Sequence, residues 1–260
     1  MKKTMHRKNG FTLIELLVVI AIIALLLSVI MPALNLAKEK ANNLSCRANV
    51  RSLSLGFRLY TEANDGEVFG YGISGVHNLW LVQIEDQLSE IDKVRYCPST
   101  KLNPKPPPHT WPDGLGTAKL TWIWPYDVIE SEHGSYGFNG WLYSRSAGIV
   151  SAAEWERSAW KSANVAANSA SIPIFIDEMW VDLWPRDSDT VLADHDLEMG
   201  GGNMMCRCMI DRHGGKLSVS FLDGHVEPIA LKQMWSLKWS KQFATDAEDH
   251  LRIDDTPIYK

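Results

Sequence analysis

Leu16-Leu17-Val18-Val19-Ile20-Ala21-Ile22-Ile23-Ala24-Leu25-Leu26-Leu27-Ser28-Val29-Ile30-Met31-Pro32-Ala33-Leu34-Asn35-Leu36-Ala37 is a run of 22 residues without an ionisable side chain. Wound as a helix it spans about 33 Å, enough to cross a hydrocarbon core of about 30 Å. Lys2, Lys3, Arg7 and Lys8 precede it, with no acid among the first ten residues. The excess of cations on that side keeps the N-terminus in the cytoplasm and sends the remainder of the chain outward. A cleaved secretory signal would share the basic start. However, the apolar run exceeds the usual stretch of about 7–15 residues, and no clean small-x-small site follows it. Glu15, at the edge of the run, is also an expensive residue to hold near hydrocarbon.

The pattern continues beyond the run. Ala41, Leu44, Ala48, Leu55 and Leu59 recur mostly at spacings of three, four or seven, with Lys38, Lys40, Asn42, Asn43, Arg47 and Arg51 on other faces. This periodicity predicts one helix over residues 13–63, kinked at Pro32 and closed by Asn64-Asp65-Gly66. The membrane half covers about 13–36, and the Ala41–Leu59 stripe is expected to pack on a globular domain formed by residues 64–260. The whole chain carries a net charge of −5 in 260 residues, and removing the first ten would make it −9. That balance excludes a basic nucleic-acid footprint.

Within 64–260 the reading is α+β, with a helix over 78–91 and a short strand over 94–99. Residues 103–116 form a Pro-rich loop. Strands are expected over 120–126, 135–143 and 172–180, and a helix over 152–167. Lys216 to Leu222 and His225 to Ala230 flank Asp223-Gly224, which predicts a β-hairpin, because a tight turn needs a residue that tolerates positive φ. Eleven tryptophans are many for this length. Most alternate with apolar residues or glycine and are expected in the core; Trp111, in the Pro-rich loop, is the one expected at the surface.

Lys8-Asn9-Gly10-Phe11-Thr12-Leu13-Ile14-Glu15-Leu16-Leu17-Val18-Val19-Ile20 closely resembles the processing segment of type IV pilins and type II secretion pseudopilins. The resemblance implies a leader of residues 1–10, cut between Gly10 and Phe11 by a prepilin peptidase that then methylates Phe11. It implies a mature helix from 11 to 63 and a role for Glu15 in assembly, its carboxylate pairing with the Phe11 ammonium of a neighbouring subunit. A lone carboxylate near hydrocarbon needs such a cation. Pro32 then occupies the twenty-second mature position, where pilin helices often carry proline. His213, nine residues and Asp223-Gly224 resemble the H-X9-DG segment at the C-terminal end of a large group of pilin-like proteins. Cys46 with Asn49 and Leu53, residues 95–99, residues 135–139 and residues 174–177 fit the same group.

These features imply a pilin-like fold: a long N-terminal helix packed on a C-terminal antiparallel sheet. The chain is expected to be a single-pass protein of the cytoplasmic membrane with its C-terminal domain in the periplasm or at the cell surface. The leading function is a structural subunit of a type II secretion or type IV pilus-like filament. Its partners would be the peptidase, the membrane and other pilin-like subunits. The alternative is a surface-exposed minor pilin that binds polysaccharide through aromatic side chains. No nucleophile elbow, zinc-protease helix or phosphate-binding glycine loop is present, so no enzyme class is supported.

Four cysteines, Cys46, Cys97, Cys206 and Cys208, lie on the exported side, where disulfides persist. Cys46 with Cys97 would tie the helix to the domain, while Cys206 with Cys208 would close a strained ring. His213 and Asp223 flank one hairpin strand, and the histidine is expected to bond the turn or an adjacent carboxylate. Asp194, Asp196, His213 and Asp223, with His195 and His225 nearby, form a weak set of metal candidates. Calcium is the metal the pseudopilin resemblance implies; zinc on Cys206, Cys208 and His213 is a second arrangement. No spacing matches a defined metal motif, and no cofactor is otherwise expected. Asp177 and Glu178, adjacent on a strand, point to opposite faces and are not read as paired catalytic carboxylates. Asp177 is read as a hydrogen-bonding residue at a strand end.

Overall fold

The computed structural model describes residues 11–71, 79–104, 114–124, 132–145, 148–164, 168–190 and 203–245. The chain divides into two compact units, 1–41 and 42–260. A single helix, α1 (Leu13–Ala63), begins in the first and continues into the second. The expected bounds are those observed, and the helix runs through Pro32.

In the first unit, Thr12 caps α1. Its backbone N–H and its hydroxyl donate to Glu15 Oε2 at 2.8 and 2.7 Å, and Glu15 N–H donates back to Thr12 Oγ1 at 3.3 Å. This reciprocal arrangement satisfies two N-terminal donors that a helix otherwise leaves orphaned. Every residue from 11 to 41 is exposed. By length and composition this stretch suits a membrane span.

In the second unit α1 buries Cys46, Val50, Leu53 and Phe57, spaced by four, three and four. This corrects the expected stripe: Leu44, Leu55 and Leu59 remain 60%, 54% and 42% exposed, and Ala41 and Ala48 are exposed beside them. Two apolar faces share this part of the helix, and the domain covers the one carrying Cys46 and Phe57. Phe57 meets Phe69, Phe138 and Phe175 at ring separations of 5.5, 5.8 and 6.4 Å.

The elements after α1 are short. The helix expected over 78–91 is broken into α2 (Trp80–Gln83), a 3₁₀ turn (Glu85–Gln87) and α3 (Ile91–Val94). Residues 94–99 are not a strand but the end of α3 and a turn, in which Thr100 N–H donates to the Cys97 carbonyl. Pro98 supplies no N–H for a ladder at that point. β1 (Trp122–Trp124) pairs with β2 (Glu132–Gly134) as a separate two-stranded ribbon. The expected helix over 152–167 is only α4 (Ala152–Ser158), with Ser151 as its N-cap.

The main sheet has five strands in the order β5-β3-β4-β6-β7. They are β3 (Tyr136–Asn139), β4 (Pro173–Asp177), β5 (Asp182–Leu183), β6 (Lys216–Phe221) and β7 (Val226–Ala230). Neighbours are antiparallel except β3 and β5, which are parallel. β4, central in the order, is buried at every position, as its unbroken apolar run requires. The outer strands differ: β5 has two residues, and β7 carries exposed Glu227 and Pro228. Together these elements give the expected α+β arrangement.

The β6–β7 hairpin forms as the sequence predicts, with one refinement. Its loop is residues 222–224. Gly224 N–H donates to Phe221 O at 2.8 Å, Phe221 N–H donates to His225 O at 3.0 Å, and only Gly224 takes positive φ, +93°. This is a three-residue loop with glycine in the left-handed position, not a two-residue turn needing positive φ at both sites.

The tryptophan excess has a structural reason. Trp80, Trp122, Trp141, Trp184, Trp235 and Trp239 are fully or almost fully buried. The indole N–H of Trp80 donates to Val181 O, that of Trp122 to Tyr136 O, that of Trp141 to Pro185 O and that of Trp235 to Asp189 O, at 2.7–3.1 Å. Each of these four rings fills core volume and also satisfies a backbone carbonyl that would be costly to leave unpaired. Trp111 lies outside the described residues.

Candidate functional site

Four segments distant in sequence converge on one buried point in the second unit. α1 brings Cys46. The turn after α3 brings Cys97. The end of β4 brings Asp177, and the segment leading into β6 brings His213. Their ligand atoms all lie within 4.8 Å of one another, and all four residues are buried. His213 Nε2 is 3.1 Å from Cys46 Sγ, 3.4 Å from Cys97 Sγ and 3.4 Å from Asp177 Oδ2. Cys46 Sγ also lies 3.4 Å from Asp177 Oδ1 and 3.2 Å from Tyr136 Oη. One helical turn on, Asn49 Nδ2 donates to the Tyr96 carbonyl at 2.8 Å and so ties α1 to the turn that carries Cys97.

Asp177 is held from several directions. Ser218 N–H donates to its Oδ2 at 2.8 Å, and the fully buried Arg212 guanidinium donates to its Oδ1 at 3.2 Å. Arg212 also donates to the carbonyls of Thr117, Ala118, Ser135 and Glu178. Burial works against ionisation of Asp177, but His213, Arg212 and the Ser218 amide together hold it below the usual carboxylate range. Burial also disfavours a charged His213, yet bonds to Asp177 and Cys97 outweigh that and raise it to about 10. Cys97 moves the other way: burial opposes its thiolate, but hydrogen bonds from Cys46 and His213 bring it down to about 6.

Sequence reasoning named all four of these residues but did not join them. The four cysteines are free thiols here. Cys46 and Cys97 do share one cluster, yet as separate thiols rather than the disulfide expected. His213 bonds a neighbouring carboxylate, as one expectation had it, and that carboxylate is Asp177. Asp223 sits at the other end of β6, where its Oδ1 lies 2.6 Å from His225 Nδ1. Cys206 and Cys208 lie elsewhere: the Cys208 thiol donates to Met205 O, and Cys206 N–H is held by Asn203. The zinc set of Cys206, Cys208 and His213 is therefore not assembled. Gly10, Asp194, His195 and Asp196 lie outside the described residues. Arg212 was missed, and its only sequence signal is its place beside His213.

Glu178, the residue that follows β4, takes different neighbours from Asp177. It lies over Gly137, where a side chain would meet its Oε2 at 1.6 Å. Neither of its carboxylate oxygens has a hydrogen-bond partner among the described residues. Burial pushes it well above the carboxylate range. Asp182, also fully buried, accepts from Tyr143 Oη at 3.3 Å. Burial raises it from 3.8 to about 7, against the pull of Arg207 and Tyr143. The folded chain thus retains this proton where the unfolded chain has lost it, so stability falls as pH rises from about 4 to about 7 and then levels. Thermal melts of Asp182→Asn beside the parent chain should show the difference between the two narrowing, or reversing in the variant's favour, across that window. A pH-independent difference would refute the assignment.

At the other end of the chain, Phe11 is exposed, and Glu15 is occupied by Thr12 at the head of an uncovered apolar helix. Residues 5–31 match the family described as the prokaryotic N-terminal methylation motif. The chain carries a pilin-type N-terminal segment. It is also 37% identical over 65 residues to the Competence protein ComGC of Halalkalibacterium halodurans, an alignment covering 25% of this chain and 64% of that protein. The chain therefore spans less than two thirds of this relative's length. No solved structure matches it. The motif and the relative are of pilin type. The methylation motif ends at residue 31, before Cys46, so it says nothing of the buried cluster.

Proposed function

We propose that this protein is a structural subunit of a type II secretion or type IV pilus-like filament. It would be held in the cytoplasmic membrane by residues 13–36 until assembly, with residues 64–260 exported, and it would not be an enzyme. The observation that carries this reading is the N-terminal methylation motif at residues 5–31, which runs into a 51-residue helix whose first half is exposed and largely apolar. An uncovered apolar surface of that size needs lipid or the same helix of other subunits. The exposed Leu44, Leu55 and Leu59 extend that need beyond the membrane segment. In this reading a prepilin peptidase cuts between Gly10 and Phe11 and methylates the new amine, and the energy of assembly comes from separate motor and platform proteins.

The test is the N-terminus itself. Mass spectrometry of the chain extracted from membranes should find it beginning at N-methylated Phe11. In Gly10→Trp, which blocks the site with bulk, the leader should remain attached. A parent chain that keeps residues 1–10, or one cut after the apolar run, would overturn the proposal.

A further inference from the structure

We infer that Cys46, Cys97, Asp177 and His213 form a binding site for a zinc-class divalent cation. Three neighbours, two sulfurs and a carboxylate oxygen, converge on a single nitrogen, His213 Nε2, at 3.1–3.4 Å. One imidazole nitrogen carries at most one hydrogen and cannot serve three partners by hydrogen bonding. A nucleophilic triad would divide its partners between the two ring nitrogens; here Nδ1 is buried with no hydrogen-bond partner among the described residues. Convergence on one point is the geometry of ligands around a shared centre.

The spacings fit that centre. Zinc bonds of about 2.0–2.3 Å to nitrogen, oxygen and sulfur give a tetrahedron with edges of roughly 3.3–3.8 Å. With Asp177 Oδ2 as the carboxylate ligand, His213 Nε2 lies 3.1, 3.4 and 3.4 Å from Cys46 Sγ, Cys97 Sγ and that oxygen, and Cys46 Sγ lies 3.7 Å from it, close to those edges. Two sulfurs, an imidazole and one carboxylate are donors for zinc, not for calcium, which takes six or more oxygens. The calcium implied by the pseudopilin resemblance does not fit this set. Charge also closes. Two thiolates, a carboxylate and a neutral imidazole around a divalent ion leave one negative charge, and the buried Arg212 guanidinium beside Asp177 neutralises it. With all four positions filled by protein and all four residues buried, the site is structural: it clamps α1, the turn after α3, β4 and the start of β6 together.

The test uses the full-length chain, extracted in detergent without chelator. Elemental analysis should find about one zinc per chain, as one closed site requires. Cobalt exchanged for zinc should give the thiolate-to-metal absorption of a tetrahedral site. Cys46→Ser and Cys97→Ser should each lose the metal and that absorption, while Cys208→Ser, outside the cluster, should keep both. Because cluster variants can also fail to fold, the parent chain decides alone. A parent that takes up neither zinc nor cobalt overturns the proposal, whether its thiols are all free or its Cys46 and Cys97 peptides are cross-linked as a disulfide.

Discussion

Arg212→Met is expected to destabilise the globular domain by about 3–5 kcal/mol, the usual loss when one member of a buried ion pair is removed. Its guanidinium donates to Asp177 Oδ1 and also satisfies four backbone carbonyls from three segments. The methionine would fill similar volume but take the guanidinium from Asp177 Oδ1 and from those carbonyls in a dry interior. Domains of this size hold only about 5–15 kcal/mol in total, so the variant should melt early or be degraded. Denaturant titration of the full chain in detergent, followed by tryptophan fluorescence, measures the loss. The double variant with Asp177→Asn should lose less than the sum of the two single variants, since it does not leave a buried carboxylate charged without its guanidinium. A loss below about 1 kcal/mol, typical of an exposed pair, would mean that Arg212 is not the partner described.

Glu15→Val is expected to abolish filaments while leaving cleavage and methylation intact. Each subunit contact would lose a charge-assisted hydrogen bond of about 1.5–3 kcal/mol, roughly ten- to hundredfold in association, repeated along the polymer. The structure adds a second effect. Glu15 also closes the cap on Thr12, so the variant gives up about 1 kcal/mol at the helix start. Glu15→Gln separates the two, because the amide can still accept from Thr12 but carries no charge for a neighbour's amine. Sheared filament yield and helix content in detergent should be compared for both variants. Glu15→Gln with normal helix content and no filaments supports the charge pairing. Normal filament yield from Glu15→Val would refute it.

The long helix was legible because little in residues 13–63 besides Pro32 argues against it: an uncharged run leads into a periodic one. The same periodicity misled about which face is covered. Leu44, Leu55 and Leu59 are as apolar as Val50, Leu53 and Phe57, and spacing shows that a stripe exists without saying what packs on it. The hairpin was legible because Asp223-Gly224 is a local signal. So was the cap at Thr12 and Glu15, a Thr-x-x-Glu pattern that went unread beside the methylation motif. The buried cluster was not legible as a site. Positions 46, 97, 177 and 213 meet only because β3, β4 and β6 are laid side by side under α1, and no local spacing encodes that. Arg212 gives less away still: a lone arginine reads as solvated surface until the fold encloses it.

The margins of the five-stranded sheet limit how this molecule can multiply. One border is a strand of two residues, and the other presents Glu227 and Pro228. A proline and a charge on an outer strand discourage another chain from adding its backbone there. Growth by adding strand to strand at these borders, the route of amyloid, is therefore disfavoured. In the proposed filament, polymerisation would fall to side chains on the helix, whose contacts are individually weak and made without backbone pairing. A fibre built that way can release its subunits intact, so it can be taken apart as well as put together.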